Sequence, residues 1–450
     1  MTRRLLLSSL LAIVLCPYLP AQGPAKDRTV VVVSLDGLPA FALDDPALPM
    51  PTLRRLIREG ASVRRMQTSN PSVTWPAHTS MVTGLTPAKH SVMFNGLVVR
   101  PGPKSPVRVE PHTDKTKLVR ATTVYDLAHR AGLTTAQVDW VAIENAPTIT
   151  WQFAEWPDPN GAIEREMIAE GALTEAEVRG FTKANITWRD RMWTEAAVHI
   201  LKRHKPNLLL YHVLNLDSTH HRYGTGNLAS LTGMAYADDS LRRIVEAIEQ
   251  TGLKDRTTLL VVSDHGFKTA RRSIRPNTIL RERGLLKETA GKIECDAWVV
   301  PDGGSAMVYV IDPANRARLV PELKRAFASV EGVDRVFEPA DYDALGYPSP
   351  ERNDQGPDLV LAAKDGYSFG GAHTGETVIE IPAGASPGSH GYLNYEPDMD
   401  AILVAWGRGV KRGARLDKAR VFDVGPTIAR LLGLTMSGVD GRALTELFGE

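Results

Sequence analysis

Four apolar runs bounded by polar residues set the frame of the chain: residues 29–37 (TVVVVSLDG), 207–217 (NLLLYHVLNLD), 258–266 (TLLVVSDHG) and 399–407 (MDAILVAWG). A strand with one face in water alternates apolar and polar side chains. These runs are nearly continuous instead, which predicts strands buried on both faces in a mostly parallel sheet. Helical periodicity fills the intervals. Residues 51–60 (PTLRRLIREG) open on Pro and close on Gly, 122–132 and 235–252 repeat an apolar stripe, and 423–433 form a last helix. The alternation predicts the α/β class, a central mostly parallel sheet flanked by helices.

Residues 267–385 break the pattern. They are rich in Pro and Gly, open on a basic stretch (KTARRSIRPN), and contain at 302–332 the makings of a strand, a helix and a return strand. The segment reads as a smaller α+β insertion capping the carboxyl edge of the sheet, which leaves 22–266 and 386–450 as the catalytic α/β domain. The start, MTRRLLLSSLLAIVLC, is basic and then apolar over too short a run to span a bilayer. It reads as a secretory signal peptide over residues 1–21, so the expected destination is periplasmic or secreted, with no transmembrane segment after its removal. The TRR start loosely matches a twin-arginine signal, and bulky Leu15 before Cys16 argues against lipid attachment there.

With the signal removed, Cys295 is the only cysteine, so an intrachain disulfide is excluded and the core, with any bound metal, must hold the fold. At 43% hydrophobic and 23% charged, the composition is globular, and a formal net charge of +1 gives no attraction to a nucleic-acid polymer. The partner expected is a small molecule. The oligomeric state is not legible.

The chemistry-bearing residues sit where apolar runs end. Asp36, Asp217 and Asp264 would emerge at the carboxyl ends of strands, the edge where open α/β sheets place ligands. His221 follows Asp217 by four residues, one face of a helical turn, and His265 adjoins Asp264. His390 lies in a turn-forming stretch, 388–394 (GSHGYLN). Singly, each has an ordinary structural explanation as a helix cap or a surface turn. Together, Asp36, Asp217, His221, Asp264, His265 and His390 offer six ligand-type side chains, too many for one tetrahedral ion and natural for two ions sharing a substrate. Mixed Asp and His ligation suits zinc, with manganese or iron as alternatives.

Residues 70–84 (NPSVTWPAHTSMVTG) read as a turn into a helix, with Thr74 at its N-terminus, where unpaired N–H groups favour an anion. Thr74 could cap that helix. It could equally be a nucleophile, if a cation bound to its oxygen removed the proton near neutral pH.

Five segments in order, 31–38 (VVVSLDGL), 70–95 (NPSVTWPAHTSMVTGLTPAKHSVMFN), 216–224 (LDSTHHRYG), 262–267 (VSDHGF) and 389–407 (SHGYLNYEPDMDAILVAWG), resemble the nucleotide pyrophosphatase/phosphodiesterase family of the alkaline phosphatase superfamily. The resemblance implies an alkaline-phosphatase-like fold and hydrolysis of phosphodiester or phosphoanhydride bonds through a phospho-threonine on Thr74. It implies that Asp36, Thr74, Asp264 and His265 hold one ion and Asp217, His221 and His390 a second, and that the amide of Asn95 donates to a phosphate oxygen. Ser91 stands where the family signature has Gly. Trp75 matches an aromatic that stacks on the base in nucleotide-cleaving relatives, a contact worth on the order of 1–3 kcal/mol. The second aromatic of that slot is replaced by His212, with Tyr211 one position off, and Trp140 survives from a Trp-Pro-Gly loop without its Pro-Gly turn. Trp75, Asn95 and Trp140 are thus the substrate-binding candidates. Threonine cannot form the formylglycine of sulfatases. A phosphomonoesterase or a phosphonoacetate hydrolase-like enzyme of the same superfamily is the alternative; the former calls for a cation near the nucleophile, which Arg64, Arg65 or Lys89 could supply. Among diesters, nucleoside monophosphate esters, dinucleotides, glycerophosphodiesters and phospholipid head groups all remain open.

Overall fold

The computed structural model describes residues 24–449. The expected signal peptide, residues 1–21, lies outside them. Within them, eight strands form one sheet in the order Arg415–Arg420, Ala61–Gln67, Ala401–Gly407, Thr257–Val262, Thr29–Leu35, Leu208–Val213, Thr135–Val138 and Trp151–Phe153. The sheet is covered on both sides, as continuous apolar runs require. Along the central strand Thr29–Leu35, Val31, Val33 and Leu35 join one buried cluster, with side chains from helices Ile186–Arg203 and Leu228–Gln250. Val30 and Val32 join another, with Val124, Met81 and Ile428 from helices on the opposite face. This is the α/β sandwich expected from the sequence.

One strand departs from the parallel set. Ala401–Gly407 runs antiparallel to both its neighbours, Ala61–Gln67 and Thr257–Val262. An apolar run reads alike in either direction, so the sequence carried no sign of this. The reversal matters because the strand begins, rather than ends, at the carboxyl edge of its neighbours, with Leu403 opposite Val262. The loop that carries His390 therefore arrives at the edge where Asp264 and His265 emerge.

Residues beyond 267 build a second, antiparallel sheet in the order Ala297–Asp302, Ser305–Val310, Leu359–Ala363 and Val333–Phe337. Helix Arg316–Ala328 packs on it through Leu319, Leu323 and Phe327, within a buried cluster separate from the two that flank the large sheet. The strand, helix and return strand expected near 302–332 are Ser305–Val310, Arg316–Ala328 and Val333–Phe337, the last pairing across Leu359–Ala363.

Candidate active site

Three neighbouring strands aim their ends at one point. Asp36 follows Thr29–Leu35 directly, and Asp264 and His265 follow Thr257–Val262 beside it. On the other side, Leu208–Val213 leads into helix Asn215–Tyr223, whose first turn carries Asp217 and whose next turn carries His221. The carboxylate of Asp190 fixes the start of that helix by accepting from Leu214 N–H (3.0 Å) and Asn215 N–H (2.7 Å). Gly266 is required by a close approach rather than by a turn: a Cβ there would fall 1.8 Å from Asp398 O, on the loop that brings in His390.

His265 Nε2 lies 3.4 Å from Asp36 Oδ1, 3.3 Å from Asp264 Oδ2 and 3.5 Å from Thr74 Oγ1. Asp217 Oδ1 lies 3.5 Å from His221 Nε2 and 3.7 Å from His390 Nε2. The rings of His265 and His390 stack with centroids 3.8 Å apart, so the two sets are contiguous. Within this set, Asp36 with Asp264 and His265, and Asp217 with His265 and His390, each bring their ligand atoms within 4.8 Å of one another. His221 touches Asp217 from the rim, its side chain 42% exposed.

The approaches of His265 and His390 to these carboxylates are not ion pairs. The Nδ1 atoms of His221, His265 and His390 lie 3.1, 3.0 and 2.9 Å from the carbonyl oxygens of Gly388, Gly266 and Ser72. Each Nδ1–H donates there, which leaves the lone pair on the Nε2 that faces the carboxylates. Burial pulls the His265 imidazole down to about 3 and lowers His390 well below its ordinary value, so both rings are neutral. The oxygens they face, Asp36 Oδ1, Asp217 Oδ1 and Asp264 Oδ2, are buried without a hydrogen-bond partner. Burial, with repulsion from Asp264 and Asp217, raises the Asp36 carboxyl well above its usual range, and burial raises Asp217. Lone pairs converging on orphaned carboxylate oxygens repel unless a cation lies between them, and imidazoles oriented by backbone carbonyls are the usual support of metal ligands. The donor set fits divalent metal.

Thr74 is the first residue of helix Thr74–Thr83, whose N-cap is Val73 and which has no side-chain capping bond. The hydroxyl is thus free of the capping role that the sequence left open. Asn95 is exposed and accepts from Trp75 N–H through Oδ1 at 3.0 Å, which turns its Nδ2 hydrogens toward other partners. Ser91 has φ 72° and its Oγ accepts from Asn353 Nδ2 at 2.8 Å, which explains why glycine suits that position.

The aromatic candidates separate. Trp75 is 9% exposed and packs with Val92, Leu97, Val141 and Ala142, next to Thr74 in the chain. Trp140 is 2% exposed and meets His78 edge-on at 4.7 Å, so it holds the His78 ring and has no open face for a substrate. Tyr211 is fully buried, bonded to Thr194 Oγ1 at 2.7 Å. His212 is also buried, with Nε2 2.9 Å from Asp36 Oδ2 and Nδ1 3.2 Å from Asp139 Oδ2. Neither has a solvent-open face. Sequence reasoning missed the link from His212 and Asp139 to Asp36; its signal was an imidazole inside the fully buried run LLLYHV. Of the three candidate cations, Lys89 pairs with Asp440, and Arg64 and Arg65 are exposed on strand Ala61–Gln67.

Residues 30–393 match the sequence profile of the type I phosphodiesterase / nucleotide pyrophosphatase family. The chain belongs to that family. Its members hydrolyse phosphodiester bonds, and the enzyme is a metal-dependent phosphoric diester hydrolase. Among relatives, human ectonucleotide pyrophosphatase/phosphodiesterase family member 7 is 23% identical over 98% of this chain and 88% of its own length. Human bis(5'-adenosyl)-triphosphatase ENPP4 is 21% identical over 90% of this chain and 78% of its own. Among solved structures, murine ectonucleotide pyrophosphatase/phosphodiesterase 5, an inactive threonine-to-alanine form in complex with AMP, superposes with a TM-score of 0.71 at 18% identity, covering 94% of this chain and all of that one. The phosphodiesterase fold is therefore shared along nearly its whole length. Among the described residues no helix is long and apolar enough to cross a membrane.

Proposed function

We propose that this phosphodiesterase is an exported two-metal enzyme that cleaves small phosphodiesters or nucleotide phosphoanhydrides through a covalent phospho-threonine on Thr74. The observation that carries the reading is the set of three buried carboxylate oxygens without hydrogen-bond partners facing three carbonyl-anchored imidazoles. Asp36, Thr74, Asp264 and His265 would hold one ion and Asp217, His221 and His390 the other, with His265 at the seam between them. When bound, such a pair, zinc foremost, lowers the pKa of a coordinated hydroxyl and balances charge on phosphoryl oxygens.

The remaining work falls to the chain. The N-terminus of helix Thr74–Thr83 can offer the phosphoryl group the Thr74 N–H alone, because Trp75 N–H is bonded to Asn95 Oδ1, residue 76 is proline and Ala77 N–H bonds Val73 O. Thr74 Oγ1, having lost its proton, attacks phosphorus, and the ester or anhydride oxygen opposite leaves with the bonding pair. Asn95 Nδ2–H donates to a non-bridging oxygen, held in place by the Trp75 N–H bond to its carbonyl. Water then attacks the same phosphorus and releases Thr74, so two inversions return the original configuration.

A diester presents one negative charge at phosphorus and a monoester two. With Lys89 paired to Asp440 and the two arginines on an exposed strand, the chain offers no cationic side chain at Thr74 among these candidates, which favours the diester. Comparing kcat/KM for p-nitrophenyl phosphate, the p-nitrophenyl ester of thymidine 5′-monophosphate, bis-p-nitrophenyl phosphate and phosphonoacetate tests this. Either diester should lead; a lead for the monoester or the phosphonate would transfer the assignment to the alternative chemistries.

A further inference from the structure

The strongest unassigned arrangement lies directly behind the candidate metal ligands, across three adjacent strands. In the parallel register His212 pairs with Ser34, so Asp36, two residues on, projects from the same side of the sheet as His212. On the other side Tyr211 pairs with Val138, which brings Asp139, the next residue, level with His212. The imidazole is thereby held between two carboxylates supplied by the strands on either side of it.

We propose that His212 and Asp139 are positioning residues for Asp36: a buried Asp139–His212–Asp36 chain that occupies Asp36 Oδ2 and presents Oδ1 alone to the cation site. This rests on the two-ion reading above. His212 Nε2 lies 2.9 Å from Asp36 Oδ2, while Asp36 Oδ1 has no hydrogen-bond partner and faces His265. A carboxylate with one oxygen committed cannot swing to chelate through both, so its coordinating oxygen has a fixed direction. On the other side Nδ1–H donates to the backbone carbonyl oxygen of Asp139 at 3.0 Å, and Asp139 Oδ2, buried without a hydrogen-bond partner, lies 3.2 Å away as a charge contact. Asp139 has φ 54°, a left-handed conformation disfavoured for a non-glycine residue, and this backbone turn is what brings two oxygens near one ring nitrogen. His78 meets the His212 ring edge-on at 4.7 Å and Trp140 backs His78, so the ring is also held laterally.

A purely space-filling role does not account for the residue type. All six residues of the strand Leu208–Val213 are buried, and a polar ring there is strongly disfavoured unless both nitrogens find partners. Phenylalanine would fill similar space without that demand. The polar partners found are the candidate ligand on one side and the strained aspartate on the other.

The test is zinc titration of the metal-stripped full chain against a chromophoric chelator, for wild type, H212F, H212Q and D139N, with kcat/KM measured at low and saturating zinc. Removing a group that orients a metal ligand typically costs about 10- to 100-fold in affinity. Wild type should take up two equivalents. H212F should weaken one by that factor and leave the other unchanged, with its lost kcat/KM restored by excess zinc. H212Q, whose amide nitrogen reaches toward the place of Nε2, should recover part of the affinity, and D139N should weaken the same equivalent. Wild-type affinity at both sites in H212F and D139N overturns the proposal, as does equal weakening of both equivalents in H212F without recovery in H212Q. Should H212F fail to fold, D139N decides by the same criterion. A wild-type protein that takes up no zinc refutes the two-ion reading, and this inference with it, an outcome distinguishable from either of those.

Discussion

Thr74→Ala separates a catalytic hydroxyl from a structural one, because the two roles predict losses of very different size. Thr74 is 7% exposed, the helix is capped at Val73 without a side-chain bond, and the polar neighbour of Oγ1 is His265 at 3.5 Å. Truncation therefore forfeits no capping bond and about one buried methyl group, roughly 0.8 kcal/mol. With an unfolding entropy of about 2.1 cal/mol/K per residue, a 450-residue chain loses roughly 0.9 kcal/mol per degree, so Tm should fall by about 1 °C. As the attacking group, by contrast, Thr74 should be worth at least about 10³ in kcat/KM, some 4 kcal/mol of activation free energy. The assay is hydrolysis of the p-nitrophenyl ester of thymidine 5′-monophosphate by zinc-loaded protein, with zinc content and Tm measured on the same sample. Thr74→Ser, which keeps the oxygen, should retain measurable turnover and yield a thymidylylated protein on acid quench, since p-nitrophenolate leaves and the thymidine ester stays on phosphorus. Thr74→Ala retaining more than about a tenth of wild-type kcat/KM would refute the reasoning. So would a loss of activity that merely followed a loss of folded protein or of zinc.

Other variants probe the rest of the site. Asn95→Asp keeps an acceptor for Trp75 N–H but turns a carboxylate toward the phosphate, so it should fold normally, lose about 10²–10³ in kcat/KM, and fall below Asn95→Ala; equal rates for the two would remove Asn95 from phosphate binding. Trp140→Phe should leave KM for nucleotide esters within about two-fold and act on stability, since the ring is buried against His78; a rise in KM of ten-fold or more would restore a substrate contact. In metal-stripped protein Asp36 has a raised pKa, so the folded state keeps a proton that the unfolded state lacks, and that stability disappears as pH rises through the folded value, with a slope up to about 1.4 kcal/mol per pH unit. Below about pH 6.5 the neutral His265 and His390 act in the opposite sense, because the unfolded imidazoles take up protons first. Metal binding needs the carboxylates ionised, so the Tm gap between zinc-loaded and stripped protein, followed by calorimetry as the pH is raised from the acid side, should widen until Asp36 and Asp217 are ionised; a gap that stays constant over the whole range would mean that the converging carboxylates are not the ligands.

What the sequence made legible follows from what a one-dimensional pattern can encode. Asp36, Asp264 and His265 stand out because each ends an apolar run, and a polar residue at the end of a buried strand has few places to be except the carboxyl edge. Asp217 and His221 stand out because four residues is a helical spacing, and helix Asn215–Tyr223 has that geometry. Strand direction is different. The run 401–407 gives no hint that it is reversed, so the arrival of His390 beside His265 was supported by family resemblance and not by periodicity.

The face a side chain takes is equally hidden when both faces are buried. His212 counted from Asp217 matches an aromatic substrate position, yet in the sheet it lies opposite Ser34 and bonds Asp36 from behind. Alternation cannot separate these alternatives in a strand with no solvent side. Trp140 is hidden for a different reason: it lies in the loop after strand Thr135–Val138, where no periodicity applies, and its side chain turns inward against His78. Polar residues inside doubly buried strands are therefore the positions where counting along a family motif fails. Their hydrogen-bond demand still says that a partner must exist, and only the register of the neighbouring strands says which one.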